Sequence, residues 1–181
     1  NRYKSIAEIG KVLDQINLEN GTCYGLKIYT AEADKGILST FDEIKSIKLC
    51  GYVSGKEFDK TFFESDILLH TEAFDDRSID SVKNSISTKI ADSLASGICL
   101  FAYGPKEVAS IEYLIDNECA VVCVDKEKLK LTLINLFVDK KLRDKCINNA
   151  IQTAERNHDT LKVGNAVREV FEKVNDESSA S

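Results

Sequence analysis

The sequence predicts an α/β protein in which helices cover a parallel β-sheet. Three observations point there. Five short apolar runs, at residues 24–29, 47–53, 66–70, 98–103 and 119–124, are rich in β-branched residues and lack strict alternation, the pattern of strands buried on both faces. Segments with helical spacing, at 57–64, 87–96 and 106–117, lie between most of them. Strand and helix therefore alternate, which argues a parallel sheet sandwiched by helices in the Rossmann-like manner. The 181 residues are 43% hydrophobic and 30% charged, an ordinary globular balance at a length that buries a core without disulfides or metal.

The chain opens on a helix whose stripe is Ile6, Ile9, Val12, Leu13 and Ile16, one apolar face at helical spacing. It closes on two or three helices between residues 126 and 174 with alternating charges outside. Pro105 follows Gly104 at a strand end and turns the chain toward the next helix. Residues 1–174 read as one domain and 175–181 as a flexible tail. In a doubly wound sheet the opening helix should follow a strand, and in the usual strand order that strand is central. A start at Asn1 rather than methionine is read as a fragment of a longer protein.

Several function classes are set aside. The net charge is −6 with no run of lysine and arginine, so nucleic acid is not expected as a partner. The longest apolar runs fall far short of the roughly 20 residues of a membrane-spanning helix, and no signal peptide is visible. Six scattered cysteines without a CxxC pair, and only two histidines, suit free thiols in a reducing cytosol better than a zinc site or a disulfide frame. The expected location is cytoplasmic, at most peripheral to the inner face of the membrane. A P-loop, a Gly-x-Gly-x-x-Gly fingerprint and a Gly-x-Ser-x-Gly elbow are all missing, against an NTPase, a dehydrogenase or a serine hydrolase.

The most informative stretch runs from Asn84 to Gly97, Asn-Ser-Ile-Ser-Thr-Lys-Ile-Ala-Asp-Ser-Leu-Ala-Ser-Gly. Ser85 or Ser87 can cap a helix and Gly97 can close it in a left-handed conformation. Ile86, Ile90 and Leu94 would face the core, leaving Ser85, Thr88, Lys89 and Asp92 on the other side. A helix N-terminus bearing hydroxyls and an ammonium suits a diphosphate, and Asp92 could accept from ribose hydroxyls. An ordinary capped helix with a solvated lysine fits the same letters. Upstream, the run at 66–70 leads into an acidic loop at 71–77, where Glu72 is the residue best placed to meet a sugar; a plain solvated loop is the alternative. After Cys50, Gly51 permits close backbone approach, so a nucleobase could lie on Tyr52 and the Val53 backbone. His70 reads as a strand-end residue near the cleft and His158 as a helix-surface residue.

Together these residues resemble the C-terminal domain of bacterial glycosyltransferases with two Rossmann domains (the GT-B fold), especially those making cell-surface polysaccharides. The resemblance spans nearly the whole chain. Its landmarks are Asn1-Arg2 opening a helix, Leu26-Lys27-Ile28-Tyr29, Gly51-Tyr52-Val53, Ser65 to Leu69, Glu72-Ala-Phe-Asp75, Ser87 to Gly97, and Ala102-Tyr-Gly-Pro105. It implies a domain that binds a nucleotide-diphosphate sugar and works with an N-terminal acceptor domain, moving a glycosyl unit to a saccharide or lipid-linked acceptor. By that resemblance Ser87, Thr88 and Lys89 hold the diphosphate, Asp92 the ribose, and Tyr52 and Val53 the base, while Glu72, the catalytic candidate, meets the sugar. No metal or other cofactor is expected. The sequence departs from relatives with two closely spaced glutamates: Asp92 replaces the second, and Glu72 lies well upstream of the tight spacing. A non-catalytic nucleotide-binding or protein-docking module is the main alternative, and a sugar-nucleotide epimerase, whose histidine and acidic cluster are not evident, ranks below it.

Overall fold

The computed structural model describes residues 1–31 and 34–179, with the backbone alone at 170 and 173–179. Helix α1 (Arg2–Asn20) buries Ile9, Leu13 and Ile16, as its stripe predicts, and ends on Gly21 at φ 64°, whose N–H bonds to the Asn17 carbonyl. The left-handed turn is one that glycine adopts without strain. Strands β1 (Leu26–Ile28) and β2 (Ile47–Leu49) follow, separated by a short helix α2 (Lys35–Leu38) and a 3-10 turn (Ser39–Phe41). Helix α3 (Gly55–Phe63) leads to β3 (Ile67–Thr71), α4 (Asp76–Val82), α5 (Lys89–Ala95), β4 (Cys99–Tyr103), α6 (Ala109–Asp116) and β5 (Val121–Cys123). The chain finishes with a 3-10 turn and helices α7 (Leu129–Val138), α8 (Lys140–Asn157) and α9 (Thr160–Ser179). All five expected strands and the three helices read between them are present, and every strand pair is parallel.

The strands form two sheets rather than one. β1 pairs with β2, and β3, β4 and β5 pair in that order. β4 is buried throughout: Cys99, Phe101 and Tyr103 enter a cluster with Ile9, Leu13 and Ile16 of α1 and Leu129, Leu133 and Leu136 of α7. Leu100 and Ala102 enter the opposite cluster with Ile90, Leu94, Ile111 and Leu114. Period-two alternation with both faces covered explains its unbroken apolar run. Helix α8 serves both layers, sending Cys146 to the first and Ala150 and Ala154 to the second.

Some expectations are corrected. β1 and β2 are not buried on both faces, since Lys27 and Lys48 are exposed. Ile86 is 44% exposed, because α5 starts only at Lys89 and leaves it in the preceding loop. The acidic loop ends early: Asp75 accepts from the Ser78 N–H and caps α4, which takes in Asp76 and Arg77. His158 is partly buried at the end of α8, 2.9 Å from the Tyr113 hydroxyl. The expected tail at 175–181 overlaps α9 through Ser179, and residues 180 and 181 lie outside the described residues. No helix among the described residues is long and apolar enough to cross a membrane.

Candidate functional site

Because the strands of each sheet are parallel, their carboxyl ends share an edge, the usual ligand edge of open α/β sheets. Helix α1 starts at that edge of β3. Arg2 donates from Nε and Nη2 to Glu72 Oε2 and Oε1 at 2.8 and 2.9 Å, the two-pronged geometry a guanidinium makes with a carboxylate. Ser5 Oγ donates to the Glu72 carbonyl at 2.7 Å, and Asn1 Nδ2 to Asp75 at 3.0 Å. The Glu72 side chain is 2% exposed and that of Arg2 is 50% exposed. His70 Nε2 lies 3.2 Å from Glu72 Oε1, within ion-pair distance, yet it is not aimed well enough for a hydrogen bond and has no other partner among the described residues.

Burial alone would raise the Glu72 carboxyl, but close approach of His70 and the bonds from Arg2 together outweigh it and hold the group below its usual range. Gly104 makes the arrangement possible: a Cβ there would stand 2.8 Å from the Glu72 Cβ and 3.2 Å from Ile111. Beside this triad a second polar group closes the edge of β4. The Tyr103 hydroxyl donates to Glu8 at 2.8 Å, Lys126 donates to Glu8 at 2.7 Å, and Lys126 lies 4.9 Å from the Phe74 ring centre. Burial first, and the Glu8 carboxylate next, push the Tyr103 hydroxyl far up, so it stays a donor.

The residues singled out in 87–92 sit otherwise. Thr88 occupies the cap position of α5 without a side-chain cap bond, so neither Ser85 nor Ser87 is the N-cap. The Ser87 N–H instead donates to Ser110 Oγ at 3.0 Å, and Ser110 Oγ donates to the Ser85 carbonyl at 3.2 Å. Ser110 is fully buried in α6, so the loop is pinned from below. Ile90 and Leu94 then anchor α5 in the core, and Gly97 ends it at φ 74° as the sequence predicts. Thr88, Lys89 and Asp92 are exposed, and among the described residues Lys89 and Asp92 form no ion pair. Tyr52 is 68% exposed just past β2, where Gly51 turns the chain at φ 71° and accepts from the Thr30 N–H; Val53 is partly buried.

The structure therefore brings Glu72 together with Arg2, His70 and Ser5. It forms no bond among the described residues between that group and Lys89, Asp92 or Tyr52. Sequence reasoning missed Arg2 as the partner of Glu72 and Tyr103 as the partner of Glu8. Asn1-Arg2 at the start of a helix was the available signal for the first, and nothing local signals the second.

Parallel strands with helices on both layers, and polar groups gathered at their carboxyl edge, define a Rossmann-like α/β fold. Solved glycosyltransferase structures share it. One is WaaG, a glycosyltransferase involved in lipopolysaccharide biosynthesis, with TM-score 0.59, 13% identity, and a match covering 83% of this chain and 38% of that one. Another is the α,α-trehalose-6-phosphate synthase of Burkholderia multivorans, with TM-score 0.69, 11% identity, and coverage of 99% and 42%. A third is the C-terminal domain of a glycosyl transferase group 1 family protein (LpcC) from Francisella tularensis, with TM-score 0.60, 17% identity, and coverage of 88% and 82%. The chain has the fold of the C-terminal domain of GT-B glycosyltransferases. It spans about two-fifths of the first two chains. No known family profile and no curated protein matches it by sequence.

Proposed function

We propose that this chain is the donor-binding half of a glycosyltransferase, which transfers a glycosyl unit from a nucleotide-diphosphate sugar to a saccharide or lipid-linked acceptor held by an N-terminal domain. The observation that carries this reading is the exposed Thr88-Lys89 pair at the start of α5, with Lys89 free of an ion-pair partner among the described residues. The likeness to solved glycosyltransferases supports the same reading.

In this reading Ser87, Thr88 and Lys89 hold the diphosphate, Asp92 the ribose hydroxyls, and Tyr52 with the Val53 backbone the base. Lys89 and the outer edge of the Arg2 guanidinium meet the negative charge that builds on the departing diphosphate, the electrostatic route to a lower barrier. Protein donors do this without a metal. Glu72 serves the sugar end of the site. With its carboxylate already bonded to Arg2, it acts by holding Arg2 and the loop that follows β3 in place, and it turns toward the sugar only if Arg2 releases it.

Calorimetric titration with uridine, guanosine, adenosine and thymidine diphosphates tests the reading, since a ligand of the folded state also raises its stability. Saturable binding of one diphosphate is expected, weakened about tenfold or more in Lys89→Ala, a loss of about 1.4 kcal/mol. Because Lys89 is exposed, the variant should unfold with the wild-type midpoint. Binding by none of the four to a folded sample, or binding indifferent to Lys89→Ala, would sink the proposal.

A further inference from the structure

We propose that His70 is a positioning residue that exchanges with Arg2 on the Glu72 carboxylate, taking over Oε1 when the guanidinium moves to the diphosphate of the donor. What draws Arg2 away rests on the donor reading; the partner in waiting is a matter of this chain's own geometry.

Two donors address one oxygen. Arg2 Nη2 donates to Glu72 Oε1 at 2.9 Å, and His70 Nε2 lies 3.2 Å from the same atom. A carboxylate oxygen offers only lone pairs, so an imidazole nitrogen that close to it carries its proton. That N–H is buried and has no hydrogen-bond partner among the described residues. Buried polar groups without partners are rare, and one that persists calls for a reason. Here the carboxylate is turned to the Arg2 fork, which leaves the imidazole at bonding distance without the aim.

The two partners differ in freedom. Arg2, the first residue of α1, has a half-exposed side chain, while the side chain of His70 is 10% exposed and that of Glu72 still less. An anion arriving from solvent therefore reaches the guanidinium and neither of the others. Glu72 is held where it stands: its N–H donates to the Tyr103 carbonyl, its own carbonyl accepts from Ser5 Oγ, and its Cβ lies close against Gly104. With Arg2 turned outward, its carboxylate is a buried charge without a partner, which is the costly way to break such a pair. Ser5 Oγ is already given to the backbone, and Lys126 to Glu8. His70 is the buried donor left unused among the described residues. The terminal torsion of histidine is broad, so a rotation of the ring brings Nε2–H onto Oε1 while residue 70 keeps its place on β3 beside Ala102. The exchange lets the site yield a cation to a ligand without stranding the acid that held it.

Nuclear magnetic resonance of the full chain, with isotope-labelled histidine and arginine, tests this. In Arg2→Ala, with no ligand added, a downfield His70 Nε2–H signal should appear that the wild type lacks and that Arg2→Ala combined with His70→Gln loses. Inorganic pyrophosphate added to the wild type should produce the same signal while the Arg2 Nε–H resonance moves from its position on Glu72. Pyrophosphate affinity, read by calorimetry, should fall about tenfold or more in His70→Ala, the loss of one hydrogen bond to a charged group. In His70→Gln, whose amide can donate in place of the imidazole, it should stay within about threefold of the wild type. No signal in Arg2→Ala, pyrophosphate bound while Arg2 stays on Glu72, or binding indifferent to His70→Ala would each overturn the proposal. No pyrophosphate binding at all, beside a clear signal in Arg2→Ala, would sink the donor reading and leave the exchange standing.

Discussion

Replacing Arg2 with alanine puts the Glu72 cluster to a quantitative test. The carboxylate is almost wholly buried and is paired by two bonds at 2.8 and 2.9 Å. Removing one partner of a fully buried pair typically costs about 3–5 kcal/mol, because the other charge is left behind. Arg2 itself is half exposed, so water already screens the pair and enters readily once the side chain is gone, which brings the expectation to about 2 kcal/mol. Urea unfolding at neutral pH reads this directly as a lower midpoint at unchanged slope. Glu72→Gln should cost less, and in its background Arg2→Ala should cost under about 1 kcal/mol, leaving a coupling of about 1 kcal/mol in the double-mutant cycle. The pH dependence has a definite sign. Glu72 is held below its usual range, so its stabilisation is fully present above the ordinary carboxylate value and is lost as pH falls through the folded one. In Arg2→Ala burial acts with less opposition, so this loss should begin at higher pH. A cost under 0.5 kcal/mol by the order-of-magnitude scale of exposed pairs, with no coupling to Glu72, would refute the arrangement described.

Gly104→Ala places a methyl group 2.8 Å from the Glu72 Cβ and 3.2 Å from Ile111, and should destabilise by about 1–3 kcal/mol through overpacking, read as a lower thermal midpoint. The cysteines should divide by burial. Cys23 is exposed and should react quickly with a disulfide reagent, whereas Cys99 and Cys119, buried with thiols pushed up to about 12 and about 11 mainly by that burial, should react only on unfolding. A burst of more than two thiols, Cys23 and the partly exposed Cys50, would contradict the described core.

What the sequence determined by itself was whatever a short stretch of chain encodes in its own periodicity. The stripe of α1, the unbroken apolar run of β4 and the glycine stop after α5 each express a local geometry that the neighbouring residues impose, and all three appear as read. Fold class followed from their order. The Lys89 and Asp92 face of α5 was legible for the same reason, being one side of one short helix.

Tertiary structure decided the rest. Arg2 and Glu72 are 70 positions apart, and no period in the chain joins a helix start to a strand end; only packing α1 against β3 does so. That contact gives the glutamate of the loop after β3 a buried carboxylate with its own cation, Arg2. Ser87 likewise reads as a cap, yet buried Ser110 on α6 takes its N–H, because hydrogen bonds form with whatever the fold brings near. Strand runs looked alike in the sequence, but burial on both faces belongs to β4 and not to β1 or β2, since it depends on which helices arrive to cover a strand. Local sequence sets which elements form; the free energy of packing them sets which polar groups meet.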